Sequence, residues 1–235
     1  MGTASELSAG NLGTASEFSR AVPNGEGIKL KISDFRKGYF EDFESGVMPE
    51  GWEAYFDGAP VDRIRKRTPR STASGVYSCQ DESYGAGTAM GCLAKQGSKI
   101  VFGASFTNDT PWKLHATLVS FSAGRWNPSN LGDSQKLVFQ MKSCAGGGIA
   151  DTEGWIGEGR WDCIYPAVSE GELDGSISME RVELGGFALG IRPGETLHVR
   201  WVFEGPAKGK GASALVAVDD FAISFRRIGL SITVR

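Results

Sequence analysis

The feature that most constrains this chain is the spacing of its apolar residues, which come in short runs of period two or run unbroken for a few positions. Examples are "SKIVFGASF" (98–106), "KLHATLVSFSA" (113–123), "QKLVFQMKS" (135–143), "VELGGFALGI" (182–191), "TLHVRWVFEG" (196–205) and "LVAVDDFAISF" (215–225). Helical spacing is nowhere sustained over the roughly 10 to 12 residues a helix requires. Between the runs lie "GAGTAMG", "TNDTP", "WNPSNLGD", "CAGGG", "RPGE" and "GPAKGKGA", which are turn and loop compositions. The 33 glycines have no collagen-like period and fit many tight turns. A sheet this apolar on one face must be covered by another, so the pattern predicts an all-β, antiparallel two-sheet β-sandwich of some eight to ten or more strands. At 235 residues one large domain is expected.

The first 25 or so residues are small and polar and repeat "GTASE" at 2–6 and 13–17, which reads as an arm over 1–27. The sandwich is expected over 28–235. At its start, in "IKLKIS", Ile28, Leu30 and Ile32 alternate with polar residues; at its end, in "GLSITVR", Leu230, Ile232 and Val234 share one face. Strands attached this way can pair with the open edge of another copy, and a head-to-tail exchange that does not close gives a filament. Both strands completing their own sandwich is the alternative.

The order of motifs resembles a large family of secreted bacterial β-sandwich domains often found on proteins with sorting signals of the PEP-CTERM type. The resemblance runs through "FEDFESGVMPEGWEAY" (40–55), "YSCQDESYGAGTAMGCLA" (77–94), "FGASFTNDTPWKLHATLVSFSAGRWNPSNLGDSQKLVFQ" (102–140), "LDGSISMERVELGGFALGIRPGETLHVRWVF" (173–203) and "ALVAVDDFAISF" (214–225). It implies a jelly-roll-like sandwich placed outside the cell or on its surface, and it assigns no reaction.

Net charge is -3, which offers no overall attraction to nucleic acid or to an anionic membrane, and no apolar run approaches the 18 or so residues of a membrane span. The N-terminal residues have neither a basic n-region nor an apolar h-region, so export calls for a signal already removed or for another route. Cys79, Cys92, Cys144 and Cys163 show no C-x-x-C spacing, and His115 and His198 lie far from them in sequence, which argues against zinc. Two local disulfides, Cys79 with Cys92 and Cys144 with Cys163, are expected, with four free buried thiols as the alternative.

Asp219 and Asp220 stand side by side on an otherwise core-forming strand. Neighbours on a strand face opposite ways, so they cannot share a substrate as a catalytic pair. An ion pair from Arg200 to one of them is expected; a structural calcium held by one of them is the alternative. Enzyme signatures fail elsewhere. "ELDGSI" puts Ile177 where a glucanase-like E-x-D-x-x-E needs its last acid, and "GPAKGKGAS" has Lys210 where a phosphate loop needs glycine. No G-x-S-x-G is present. No cofactor is expected beyond that calcium.

For binding, Arg63, Arg65, Lys66, Arg67 and Arg70 cluster in "DRIRKRTPR", suited to an acidic polysaccharide or another polyanion. Trp52, Tyr55, Trp126, Trp155 and Trp161 are candidates for a sugar-stacking platform. Two readings follow: a non-catalytic extracellular structural subunit that binds other copies of itself, or a carbohydrate-binding module. Membrane insertion and specific nucleic-acid recognition are not expected.

Overall fold

The computed structural model describes residues 29–67, 73–80, 88–126, 134–157, 159–165, 178–187, 189–207 and 213–228. Among the described residues fifteen strands lie in two packed sheets. The first sheet has the order β11 (Cys163–Tyr165), β10 (Gln135–Cys144), β14 (Thr196–Glu204), β8 (Lys99–Asn108), β3 (Trp52–Phe56) and β4 (Ala59–Pro60), with β1 (Leu30–Ile32) also on β8. In the second, β12 (Ser178–Gly185), β9 (Leu114–Arg125), β15 (Leu215–Arg227), β7 (Thr88–Leu93), β6 (Gly75–Gln80) and β5 (Arg65–Lys66) follow one another. There β2 (Tyr39–Glu41) pairs with β15 and β13 (Gly190–Ile191) with β9. The chain is an all-β, jelly-roll-like sandwich. All ladders are antiparallel except two short ones at the margins, β1 with β8 and β5 with β6. Among the described residues no helix is long and apolar enough to cross a membrane.

Side-chain parity explains the core. On β14 Leu197, Val199, Trp201 and Phe203 point inward, and Ile100, Phe102, Ala104 and Phe106 of β8 share that face. Against them the second sheet sets Val119, Phe121 and Ala123 of β9 and Val216, Val218, Phe221 and Ile223 of β15. Trp201 is the hub: it stacks on Phe102 and on Trp52 and meets Phe121 and Phe221 edge-on.

The disulfides do not form; all four cysteines are free thiols. On β6 and β7, Cys79 lies opposite Ala89 and Cys92 opposite Val76. By parity, Cys92 faces the core, while the Cys79 sulfur packs over Gly91 on the outer face with Tyr77, Leu93 and Leu215. A sheet therefore separates the two thiols. Cys163 pairs with Leu137 at the far end of β10 from Cys144. Seven strand residues put the two cysteines roughly 23 Å apart, against the 7 Å or so a disulfide spans.

Leu30 and Ile32 are paired within their own molecule, opposite Phe106 and Asn108. The exchange strand expected at the N-terminus thus already completes its own sheet. Ile28 and the expected strand carrying Leu230, Ile232 and Val234 lie outside the described residues.

Candidate functional site

Three places gather chemistry-bearing side chains. The first is a groove at one lateral edge of the sandwich, where the first sheet ends in the β3–β4 hairpin and the second in β5. The hairpin turns on Asp57 and Gly58, both with positive φ, as a type I′ turn requires. Asp57 is also tied to β8, accepting from the Lys99 N–H through Oδ1 at 2.7 Å and donating its own N–H to the Lys99 carbonyl at 2.9 Å. The chain then crosses between the sheets through Val61 and buried Ile64 to reach β5. The result is a cavity of about 580 Å³ with an apolar floor that includes Phe56, Pro60, Val61 and Val76 and a rim that carries Arg63, Arg65 and Lys66 with Asp62. The three cations are exposed. The Arg65 guanidinium lies beside Gly75, where a Cβ would make ordinary van der Waals contact with it, 3.7 Å from the guanidinium carbon. Arg65 Nη1 donates to the Ser74 carbonyl at 3.4 Å. Arg67, expected to act with them, is not in the groove lining; it is half-buried on the side of Cys79.

The second place is the outer face of the first sheet, which residues 145–157 roof over. Arg200 lies on that face at 5% exposure. Its Nε donates to Gln140 Oε1 at 2.8 Å, its Nη1 donates to the carbonyls of Ile149 and Asp151 at 2.8 and 2.7 Å, and its guanidinium stacks 3.7 Å from the Trp155 ring. Burial brings the guanidinium down to about 10, so it stays charged at neutral pH. Beside it Lys142 pairs with Asp151, and Ser105 Oγ is 2.8 Å from His198 Nδ1. His198 is fully buried, and its Nε2 has no hydrogen-bond partner. Burial, reinforced by Lys142 and Lys29 and opposed by Asp151, holds His198 down at about 4.

The third place answers the paired aspartates. Asp219 pairs with Ser122 and Ala222 with Ser120, so β15 carries one extra residue, a bulge. That residue is Asp220, at φ 50°, and its N–H closes the bulge by donating to Asp219 Oδ1 at 2.9 Å. The bulge lets Val218 and Phe221 both reach the core while Asp219 faces outward. Asp219 is 5% exposed, and burial, with Asp220, Glu44 and Asp42 nearby, pushes its carboxyl up to about 7. The expected bond to Arg200 does not exist: Arg200 is on the outer face of the other sheet, across a core roughly 10 Å thick. Among the described residues no three His, Cys, Asp or Glu side chains are placed to hold a metal ion.

The tryptophans form no open platform. Trp52 and Trp161 are in the core, and Trp126 belongs to the apolar layer outside the second sheet. Trp155 gives a ring face to Arg200 and lies 4.9 Å from the Lys142 ammonium, with its Nε1 donating to the Asp151 carbonyl. Tyr55 is half-buried and donates its hydroxyl to Glu53 at 2.9 Å. Asn108, the first residue of the sequon "NDT", is buried and donates to the carbonyls of Trp112 and Ile191. Nothing in residue spacing marked the roof or the groove as such; the readable signals were Ile149 and Trp155 within the loop over 145–157, and the Asp57-Gly58 pair.

His198 and Asp219 pull stability in opposite directions with pH. Histidine ordinarily titrates near 6.5 and here at about 4, so between these values the unfolded chain binds the extra proton. Stability from His198 is present above 6.5 and lost as pH falls towards 4. Asp219 goes from an ordinary 3.8 to about 7, so its contribution is present below 3.8 and lost as pH rises through 7. Asp219→Asn keeps the acceptor for the Asp220 N–H and removes the second effect. Expected is a gain of about 1–2 kcal/mol at pH 8 that vanishes by pH 4, discounted for water at the sheet surface. Urea midpoints of both proteins at pH 4, 5.5, 7 and 8 measure it; a difference independent of pH would contradict this account.

No protein-family model matches the chain, and no curated protein does. Among solved structures it is similar to TmCBM61 in complex with beta-1,4-galactotriose, at 11% identity and TM-score 0.42, over 80% of this chain and 94% of that one. It is similar also to the K3 cleaved adhesin domain of Lys-gingipain from Porphyromonas gingivalis, at 11% identity and TM-score 0.48, over 79% and 97%. A third is the family 11 carbohydrate-binding module from Clostridium thermocellum in complex with a beta-1,3-1,4-mixed-linked tetrasaccharide, at 12% identity and TM-score 0.37, over 78% and 92%.

Proposed function

We propose that this chain is a non-catalytic carbohydrate-binding module that works outside the cell, where polysaccharides are its partners. The observation that carries the reading is the lateral groove, about 580 Å³ with an apolar floor and a polar rim. That size and lining suit a few sugar rings: apolar ring faces lie on Phe56, Pro60 and Val61, and hydroxyl or charged groups meet the rim. Among the described residues the rim holds one carboxylate, Asp62, where glycosidases work with two. The rival, a filament built by strand exchange, has less support because Leu30 and Ile32 are taken up by β8 of the same molecule.

Affinity electrophoresis of the full chain through gels cast with individual neutral and acidic polysaccharides tests the reading. At least one polymer should retard it. Ala59→Trp, placed at an exposed lining position, should fill the groove and abolish the retardation without lowering Tm. Migration unaffected by every polymer, or retardation unchanged in the variant, would sink the proposal.

A further inference from the structure

We infer that the groove selects acidic polysaccharides, chains with a carboxylate on the sugar ring, and that Arg63, Arg65 and Lys66 read that charge; this rests on the carbohydrate-binding reading above. The whole chain carries a net charge of -3, yet among the described residues this rim sets three cations around a single carboxylate. The excess is local and sits over an apolar floor, the combination that a sugar ring bearing an acid presents in mirror image.

Arg65 gives the most specific contact. A guanidinium has five N–H donors in a planar fork that matches a carboxylate with two parallel hydrogen bonds. One donor, on Nη1, is used by the Ser74 carbonyl at 3.4 Å, and the guanidinium lies beside Gly75 with its other donors to offer. Arg63 and Lys66 supply charge on the same rim. The acids nearby define the charge density that fits. Asp62 is in the rim, and Asp57 lies within the hairpin that forms one wall. Duplex DNA carries one charge per roughly 1.7 Å of axis and would meet these carboxylates as well as the cations. An acidic glycan, with about one charge per sugar, can place its carboxylates at the cations and its neutral edges at Asp62. A nucleic-acid surface would also need basic residues well beyond a three-cation rim.

The test uses the full chain with polygalacturonate, alginate and hyaluronate, each beside its carboxyl-reduced form, in which the backbone is kept and the charge removed. Titration calorimetry at 50 and 300 mM NaCl should show binding to at least one acidic polymer and a weakening of at least about tenfold on carboxyl reduction. The higher salt should weaken it by a similar factor. The triple substitution Arg63→Gln, Arg65→Gln and Lys66→Gln should reproduce the loss with Tm unchanged, since all three side chains are exposed. Equal affinity for the reduced polymers would overturn the charge selection and leave a neutral-glycan module standing. Tighter binding of duplex DNA than of any acidic glycan would overturn the glycan class. Absence of binding to every polysaccharide would remove both this inference and the function it rests on.

Discussion

Trp201→Ala is expected to lower stability by about 3–5 kcal/mol, the range for emptying a large aromatic site in a packed core. A domain of this kind has roughly 5–15 kcal/mol to lose, so the variant should be largely unfolded at moderate urea and near its melting point at 37 °C. The reason is its place as hub: rings of Trp52, Phe102, Phe121, Phe139 and Phe221 all surround it, from both sheets. Removing it separates the layers at their centre, where no neighbour can swing in without leaving its own contacts. Trp201→Phe should cost less, about 1–2 kcal/mol. The indole Nε1 is buried with no hydrogen-bond partner, and phenylalanine removes that unsatisfied donor along with part of the ring. Urea denaturation followed by circular dichroism gives both values. A phenylalanine variant as unstable as the alanine one would show that shape, not burial, governs the site.

Arg200→Met should cost about 2–4 kcal/mol, even though methionine matches the length of the arginine stem. The arginine is a polar clasp between β14 and the roof: it ties Gln140 on β10 to the Ile149 and Asp151 carbonyls and stacks on Trp155. Methionine leaves two carbonyls and an amide oxygen without that donor beneath a closed loop. Arg200→Lys keeps the charge but not the fork, and should recover less than half of the loss. Limited proteolysis should then cut within 145–157 in both variants while the wild-type segment resists. A methionine variant as resistant as wild type would mean that the Lys142 to Asp151 pair and the Ile149 contact with Val101 and Val202 hold the roof without Arg200.

The pH behaviour belongs to the same molecule-wide pattern. Two buried ionisable groups with large shifts, His198 and Asp219, lie on outward-facing strand positions, where period-two reasoning expects solvent. His198 is fully buried, with Asp151 of 145–157 close enough to act on its charge, and Asp219 is buried at 5% exposure. Strand parity says which residues share a face; it does not say what covers that face.

Local backbone geometry accounts for one part of this architecture, and contacts between distant segments for the other. Alternation was enough to place Leu197, Val199, Trp201 and Phe203 on one face of a strand, and to make an all-β sandwich the only economical way to bury six such runs, because Cβ direction depends on local backbone geometry alone. Within that pattern the bulge at Asp220 was invisible, since an extra residue shows only against a partner strand. The two disulfides failed for a related reason. Nearness in sequence brought Cys79 to Cys92 and Cys144 to Cys163, but register put one pair on opposite faces of a sheet and the other at opposite ends of a strand. Arg200 and Asp219 were matched by charge and then divided between two sheets. The groove arises where β4 and β5, adjacent in sequence, become the last strands of different sheets. Register, sheet membership and the covering of a face are contacts between segments far apart in the chain, and no local preference encodes them.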